Sequence, residues 1–181
     1  MEPIKLATVW LGGCSGCHMS FLDMDEWLFE LGQIADLVYS PLADIKQFPQ
    51  GVDLALVEGA VANEENFELA KTIRKRSKFV VSFGDCAVTG NVTAMRNSHG
   101  TGESVVRTVY LVPPEGSQAR LPSDREIVPA LLDQVLPLHK VIPVDFFLPG
   151  CPPSAPLIRS VISQLVTHQP NDSPADRIRF G

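Results

Sequence analysis

Apolar runs of strand length alternate with helical patterns along most of this chain. The runs are IKLATVWL (4–11), ADLVYS (35–40), VDLALVE (52–58), KFVVSFG (78–84) and VDFFLPG (144–150). Several are apolar at consecutive positions rather than at every second one, as in strands covered by helices on both faces. Strands alternating with helices predict an α/β fold built on an open, mostly parallel sheet. A length of 181 residues suits one domain with one sizeable core.

The helical patterns fall between the runs. Leu22, Met24, Trp27, Leu28, Leu31, Ile34 and Ala35 recur at roughly helical spacing after the first run. ENFELAKTIRK, after the third, has acids early and bases late, in the order that complements a helix dipole. SDREIVPALLDQVL (123–136) reads as a helix opened by Ser123 and Glu126 at capping-box spacing, with Pro129 shortening or kinking it. A last helix is expected after Ser154, with Pro156 in its first turn and Leu157, Ile158, Val161, Ile162 and Leu165 facing inward. Residues 98–122 are long for a connection and suggest an extra strand or a partner-binding loop. The chain divides into a domain over 1–168 and an irregular, polar tail over 169–181.

All four cysteines follow strand candidates. Cys14 and Cys17 lie in GGCSGCHMS after the first, Cys86 in GDCAVTGN after the fourth, and Cys151 in PGCPPS after the fifth. Carboxyl ends of parallel strands share one edge of the sheet, where open α/β folds bind ligands. Thiols remote in sequence therefore converge there. Glycines beside each cysteine let main chain approach a bulky group and offer N–H groups to electron-rich sulfur. One close pair plus two distant singles favours an iron–sulfur cluster over zinc, which usually takes two close pairs, but spacing alone leaves zinc open. A redox dithiol needs only Cys14 and Cys17 and leaves the other two as buried free thiols.

Composition narrows the partners. The net charge of −6 argues against general nucleic-acid or anionic-membrane binding, and KTIRKRSK (71–78) reads as the solvated end of a helix. No apolar run is long enough to span a bilayer, and MEPIKLATVW lacks the pattern of a signal peptide. A cytoplasmic location is expected, where metal or redox chemistry is a better use of cysteine than disulfides.

Taken together, CSGCHMSFLDMDE, EGAVANEEN, GDCAVTGN and PGCPPS resemble the small subunit of nickel–iron hydrogenases, in order from residue 4 to about 166. The likeness is greatest to the short cytoplasmic form of NAD-reducing, bidirectional enzymes. The resemblance implies a flavodoxin-like domain holding one 4Fe-4S cluster on Cys14, Cys17, Cys86 and Cys151. It implies a large-subunit partner bearing the nickel–iron centre that handles H2, with no catalytic residue on this chain. It also implies diaphorase subunits, with further clusters and FMN, that reduce NAD(+). The chain departs from many relatives in carrying Met19 where they place a glutamate, so the resemblance does not carry over a proton route through that position. Glu58-Gly59 matches the family's Glu-Gly after the third strand, giving Glu58 a supporting role beside the cluster. The cluster-bearing subunit of NADH:quinone oxidoreductase shares the PGCPP turn but is expected to have adjacent cysteines in its first motif. That subunit and a four-cysteine zinc interaction module are the alternatives.

Other candidates have plainer readings. His18, adjoining a proposed ligand, has two readings of about equal weight: a residue touching the cluster's surroundings or the partner, and a polar surface histidine. His99, His139 and His168 show no ligand spacing. Asp23, Asp25 and Glu26 suit the start of a helix. GTGES (100–104) lacks the lysine and the context of a phosphate loop. FMN on this chain is the weaker option, because the loop that would bind it carries Cys14 and Cys17.

Overall fold

A computed structural model describes residues 3–111, 120–122, 124–125 and 127–167. Its elements, in chain order, are β1 (Ile4–Trp10), α1 (Gly16–Leu22), α2 (Trp27–Ile34), β2 (Ala35–Tyr39), β3 (Val52–Glu58) and β4 (Val61–Asn63). There follow α3 (Glu64–Arg76), β5 (Ser77–Phe83), α4 (Asp85–Thr89), α5 (Asn91–Ala94), α6 (Gly102–Leu111), β6 (Leu131–Leu136), β7 (Phe146–Leu148) and α7 (Ala155–Thr167).

Five strands form a wholly parallel sheet in the order β2-β1-β3-β5-β7. Counted among the sheet's own strands this is 2-1-3-4-5, the flavodoxin-like order, with its topological switch between β1 and β3. The expected α/β fold is therefore present. Side chains alternate between two cores. Leu6, Leu54, Leu56, Val81 and Phe83 pack with Phe21, Trp27, Leu31, Ile158 and Ile162 on one face. Ala7, Val9, Ala55, Val57 and Val80 pack with Ala70, Ile73, Ala87 and Leu138 on the other. Burial of both faces is why the central strands read as continuous apolar runs.

α3 follows the charge order of its sequence. Asn63 caps it by accepting from the Asn66 N–H, and Glu64 and Glu65 stand in the first turn with Arg74, Lys75 and Arg76 in the last. The α7 helix starts where expected, with Ile158, Val161 and Ile162 buried; Leu157, however, is exposed.

Three expectations are corrected. The predicted helix over 123–136 is not present: residues 131–136 form strand β6, antiparallel to β4, pairing Val61 with Leu136 and Asn63 with Leu131. Side chains hold that strand from a distance. Asn97 donates to the Val135 carbonyl and accepts from its N–H, and Arg96 donates to the carbonyls of Ala62 and Leu132. Ser123 and Glu126, the expected cap, lie outside the described residues, as does the 169–181 tail. Within 98–122 the described part is helical over Gly102–Leu111 rather than a strand or loop. The first helical pattern is split, α1 and α2 being separated by a turn in which Asp25 has φ of 50°.

Candidate metal centre

The loops that follow β1, β3, β5 and β7 are tied to one another by hydrogen bonds. Gly12 and Ala60 exchange N–H···O bonds of 2.9 and 2.8 Å, joining the loop after β1 to the turn after β3. The Gly84 N–H donates to the Leu148 carbonyl and the Asp85 N–H to that of Gly150, while Asp85 Oδ1 accepts from the Gly150 N–H at 2.7 Å. Ser20 of α1 donates to the Pro153 carbonyl at 2.6 Å, across 133 positions of sequence. These bonds fix the three cysteine-bearing turns relative to one another.

Cys14 and Cys17 flank the start of α1, Cys86 lies in the first turn of α4, and Cys151 lies between β7 and α7. Cys17 and Cys86 are each 7% exposed, whereas Cys14 and Cys151 are exposed, so the group sits at the rim of the molecule. Cys17 Sγ rests directly on the β5 turn: a Cβ added to Gly84 would lie 2.1 Å from it. A Cβ on Gly16 would approach Cys14 Sγ to 3.3 Å.

All four thiols share one electrostatic neighbourhood. Burial, then the charges of Glu58, Cys86, Cys14 and Cys151, push the Cys17 thiol well above the ordinary range. The Cys86 thiol is pushed up by burial and then by Cys14, Cys151, Glu58 and Asp85. The two buried thiols, Cys17 and Cys86, are thus held toward their protonated forms, and a cationic core would displace those protons on binding. Among the described residues no three or more His, Cys, Asp or Glu side chains are disposed to hold a single metal ion. Tetrahedral zinc wants sulfurs about 3.8 Å apart, from bonds of ~2.3 Å.

Of the two readings of His18, the structure excludes the surface one. His18 is not on the surface but 2% exposed, beside Glu58 at 1%. Glu58 Oε2 accepts from the His18 backbone N–H at 2.9 Å and makes a short contact with the ring Nδ1. The ring stacks on Trp10 at 6.2 Å and tilts against Phe83 at 6.3 Å, and its Nε2 is buried without a hydrogen-bond partner. Met19, by contrast, is 58% exposed. The soft donor set, the glycine-lined cradle and an orphaned nitrogen one residue from Cys17 all fit a bulky, electron-rich group. Replacing Glu58 with alanine is expected to lower stability by about 3 kcal/mol, since it strands a buried imidazole and N–H. Glutamine, whose oxygen still accepts, costs less; thermal unfolding of the two variants checks the ranking.

The His99 carbonyl accepts from Ser104, and the His139 ring packs on Phe147 at 5.7 Å. His168 lies outside the described residues.

Comparison with known proteins bears on what this rim does. Residues 14–165 match the family model described as NADH ubiquinone oxidoreductase, 20 Kd subunit. The delta subunit of the NAD-reducing hydrogenase HoxS from Cupriavidus necator is 40% identical, over 98% of this chain and 85% of its own length. A subunit of the F420-non-reducing hydrogenase of Methanothermobacter marburgensis is 38% identical over 98% of this chain, which spans 58% of that protein. Among solved structures, a chain of an NAD(+)-reducing [NiFe]-hydrogenase in the H2-reduced state superposes with a TM-score of 0.87 at 36% identity, covering 99% of this chain and 100% of that one. A chain of the Dm. baculatum [NiFeSe]-hydrogenase shares the fold alone, at a TM-score of 0.59 and 18% identity over 96% of this chain and 66% of its own.

Proposed function

This chain belongs to the family of the NADH:ubiquinone oxidoreductase 20 kDa subunit as a hydrogenase subunit, and from that premise we propose that it is an electron-relay subunit holding one 4Fe-4S cluster on Cys14, Cys17, Cys86 and Cys151. When bound, such a cluster supplies one-electron transfer, which none of this chain's side chains performs alone. The chain's residues bind and insulate it. Cys17 and Cys86 hold it from the buried side, where Phe83 and the β5 turn exclude water. Cys14 and Cys151 hold it from the exposed side, facing a partner. His18 and Glu58 keep the α1 turn in register with the end of β3.

The observation that carries this reading is the seating of Cys17 Sγ against Gly84, with all four thiols in mutual electrostatic range. As partners we propose a large subunit whose nickel–iron centre handles H2 and a diaphorase module with clusters and FMN that reduces NAD(+), a reading supported by likeness to the NAD-reducing hydrogenases. NAD(+) as acceptor fits a cytoplasmic enzyme, and no described helix is long and apolar enough to cross a membrane. A four-cysteine zinc module is the alternative, and it is the relatives' identity as hydrogenase subunits that favours the cluster. The corresponding chain of an NADH:quinone oxidoreductase shares the family, but CSGC separates its cysteines by two residues, as in the hydrogenase pattern.

Metal analysis tests the proposal. Purified complex is expected to contain iron and acid-labile sulfide assignable to this chain, and a paramagnetic signal on reduction. A colourless protein with stoichiometric zinc would overturn it.

A further inference from the structure

The segment after α4 is unusual in its backbone. Gly90, between α4 and α5, has φ of 90°, and Asn91, the first residue of α5, follows with φ of 37°, so two successive residues have positive φ. A non-glycine residue at positive φ is uncommon, and asparagine is among the side chains that tolerate it best. The Asn91 N–H is met by Thr89 Oγ1 at 3.3 Å, and Thr89 in turn donates to the Asp85 carbonyl. The outcome of this turn is the placement of one side chain: Asn91 Nδ2 donates to Cys151 Sγ at 3.3 Å. The backbone of the Cys151 turn is itself held by Asp85, six positions before Asn91. One segment, 85–91, thus carries Cys86, anchors the turn of Cys151 and hydrogen-bonds its sulfur.

Resting on the cluster reading above, we propose that Asn91 is a positioning residue whose amide N–H to Cys151 Sγ raises the reduction potential of the bound cluster. Reduction adds negative charge that is shared with the ligating thiolates. A donor aimed at one of those sulfurs stabilises the reduced state over the oxidised one. Cys151 is one of the two exposed cysteines. The bond therefore acts on the side where burial lends least control.

The test uses the assembled complex and two variants. Asn91→Gly keeps the positive φ and deletes the donor. Asn91→Asp keeps the shape but presents a carboxylate to the sulfur. The cluster of this chain is identified as the signal lost in Cys86→Ala, and its midpoint is followed by electron paramagnetic resonance during redox titration. Both variants are expected to retain iron and sulfide and to titrate at lower potential, the aspartate further than the glycine. An unchanged midpoint in both overturns the proposal. So does loss of iron from both, which assigns Asn91 to building the site instead. Unaltered complex lacking iron and sulfide at this chain would fail the cluster reading itself and this inference with it, an outcome distinct from either of those.

Discussion

Complex carrying Cys86→Ala is expected to lose hydrogen-driven NAD(+) reduction to the background level while still assembling. Cys86 stands in the first turn of α4, held from both ends. The Val88 N–H donates to the Gly84 carbonyl, and the Gly90 N–H to that of Cys86. None of these bonds uses its side chain. Removing one sulfur from the core costs on the order of 1 kcal/mol, so the fold survives. A cluster short of one buried thiolate is a different matter, because water or a foreign ligand must enter a position that is 7% exposed. Two measurements separate relay from catalysis. Iron and sulfide at this chain should fall sharply, while hydrogen–deuterium exchange at the partner's metal centre, which needs no electron exit, should persist. Wild-type rates of NAD(+) reduction in this variant would contradict the proposed function.

How much of this could be read from the chain alone depends on where the determining contacts lie. β1, β3 and β5 are legible because both faces of each are covered, which writes itself as an unbroken apolar run. The cysteine rim is legible for a related reason: parallel strands share their carboxyl edge, so cysteines placed just after three of those strands imply convergence without any knowledge of packing. β6 is not legible. LLDQVL becomes a strand only through its pairing with the three-residue β4 and the side chains of Arg96 and Asn97, all more than thirty positions away. The burial of His18 is left open by the sequence for the same reason, since its partner Glu58 is 40 residues distant. One signal was available: a carboxylate closing the apolar run VDLALVE is hard to bury unless something basic or an N–H meets it. Asp85 and Asn91 carried no such signal, being short polar residues in a turn whose shape emerges only in three dimensions.

Gly84→Ala should have an effect nearly as large as that of the ligand itself, although it changes no donor. Gly84 caps α4 with φ of 81° and ψ of 162°, a region essentially restricted to glycine, so alanine alone costs about 1–3 kcal/mol. Its new methyl group would also lie 2.1 Å from Cys17 Sγ and 3.6 Å from Cys17 Cβ. Retreat of the backbone is opposed by the Gly84 N–H bond to the Leu148 carbonyl and by the two bonds that join Asp85 to Gly150. Cys17 must therefore give way, and its movement is resisted in turn by His18, whose N–H is held by Glu58. The strain falls on the sulfur position. We expect purified Gly84→Ala complex to carry little or no iron at this chain and to unfold at lower temperature than the unaltered protein. Gly32→Ala supplies the control, because it lies in α2, shows no positive φ and has nothing within 4 Å of an added Cβ. That change should leave iron content untouched and stabilise by about 0.5–1 kcal/mol through helix propensity. Full iron content in Gly84→Ala would mean that the sulfur of Cys17 is not seated against the β5 turn in the loaded protein, and the convergence of the three turns would have to be drawn differently.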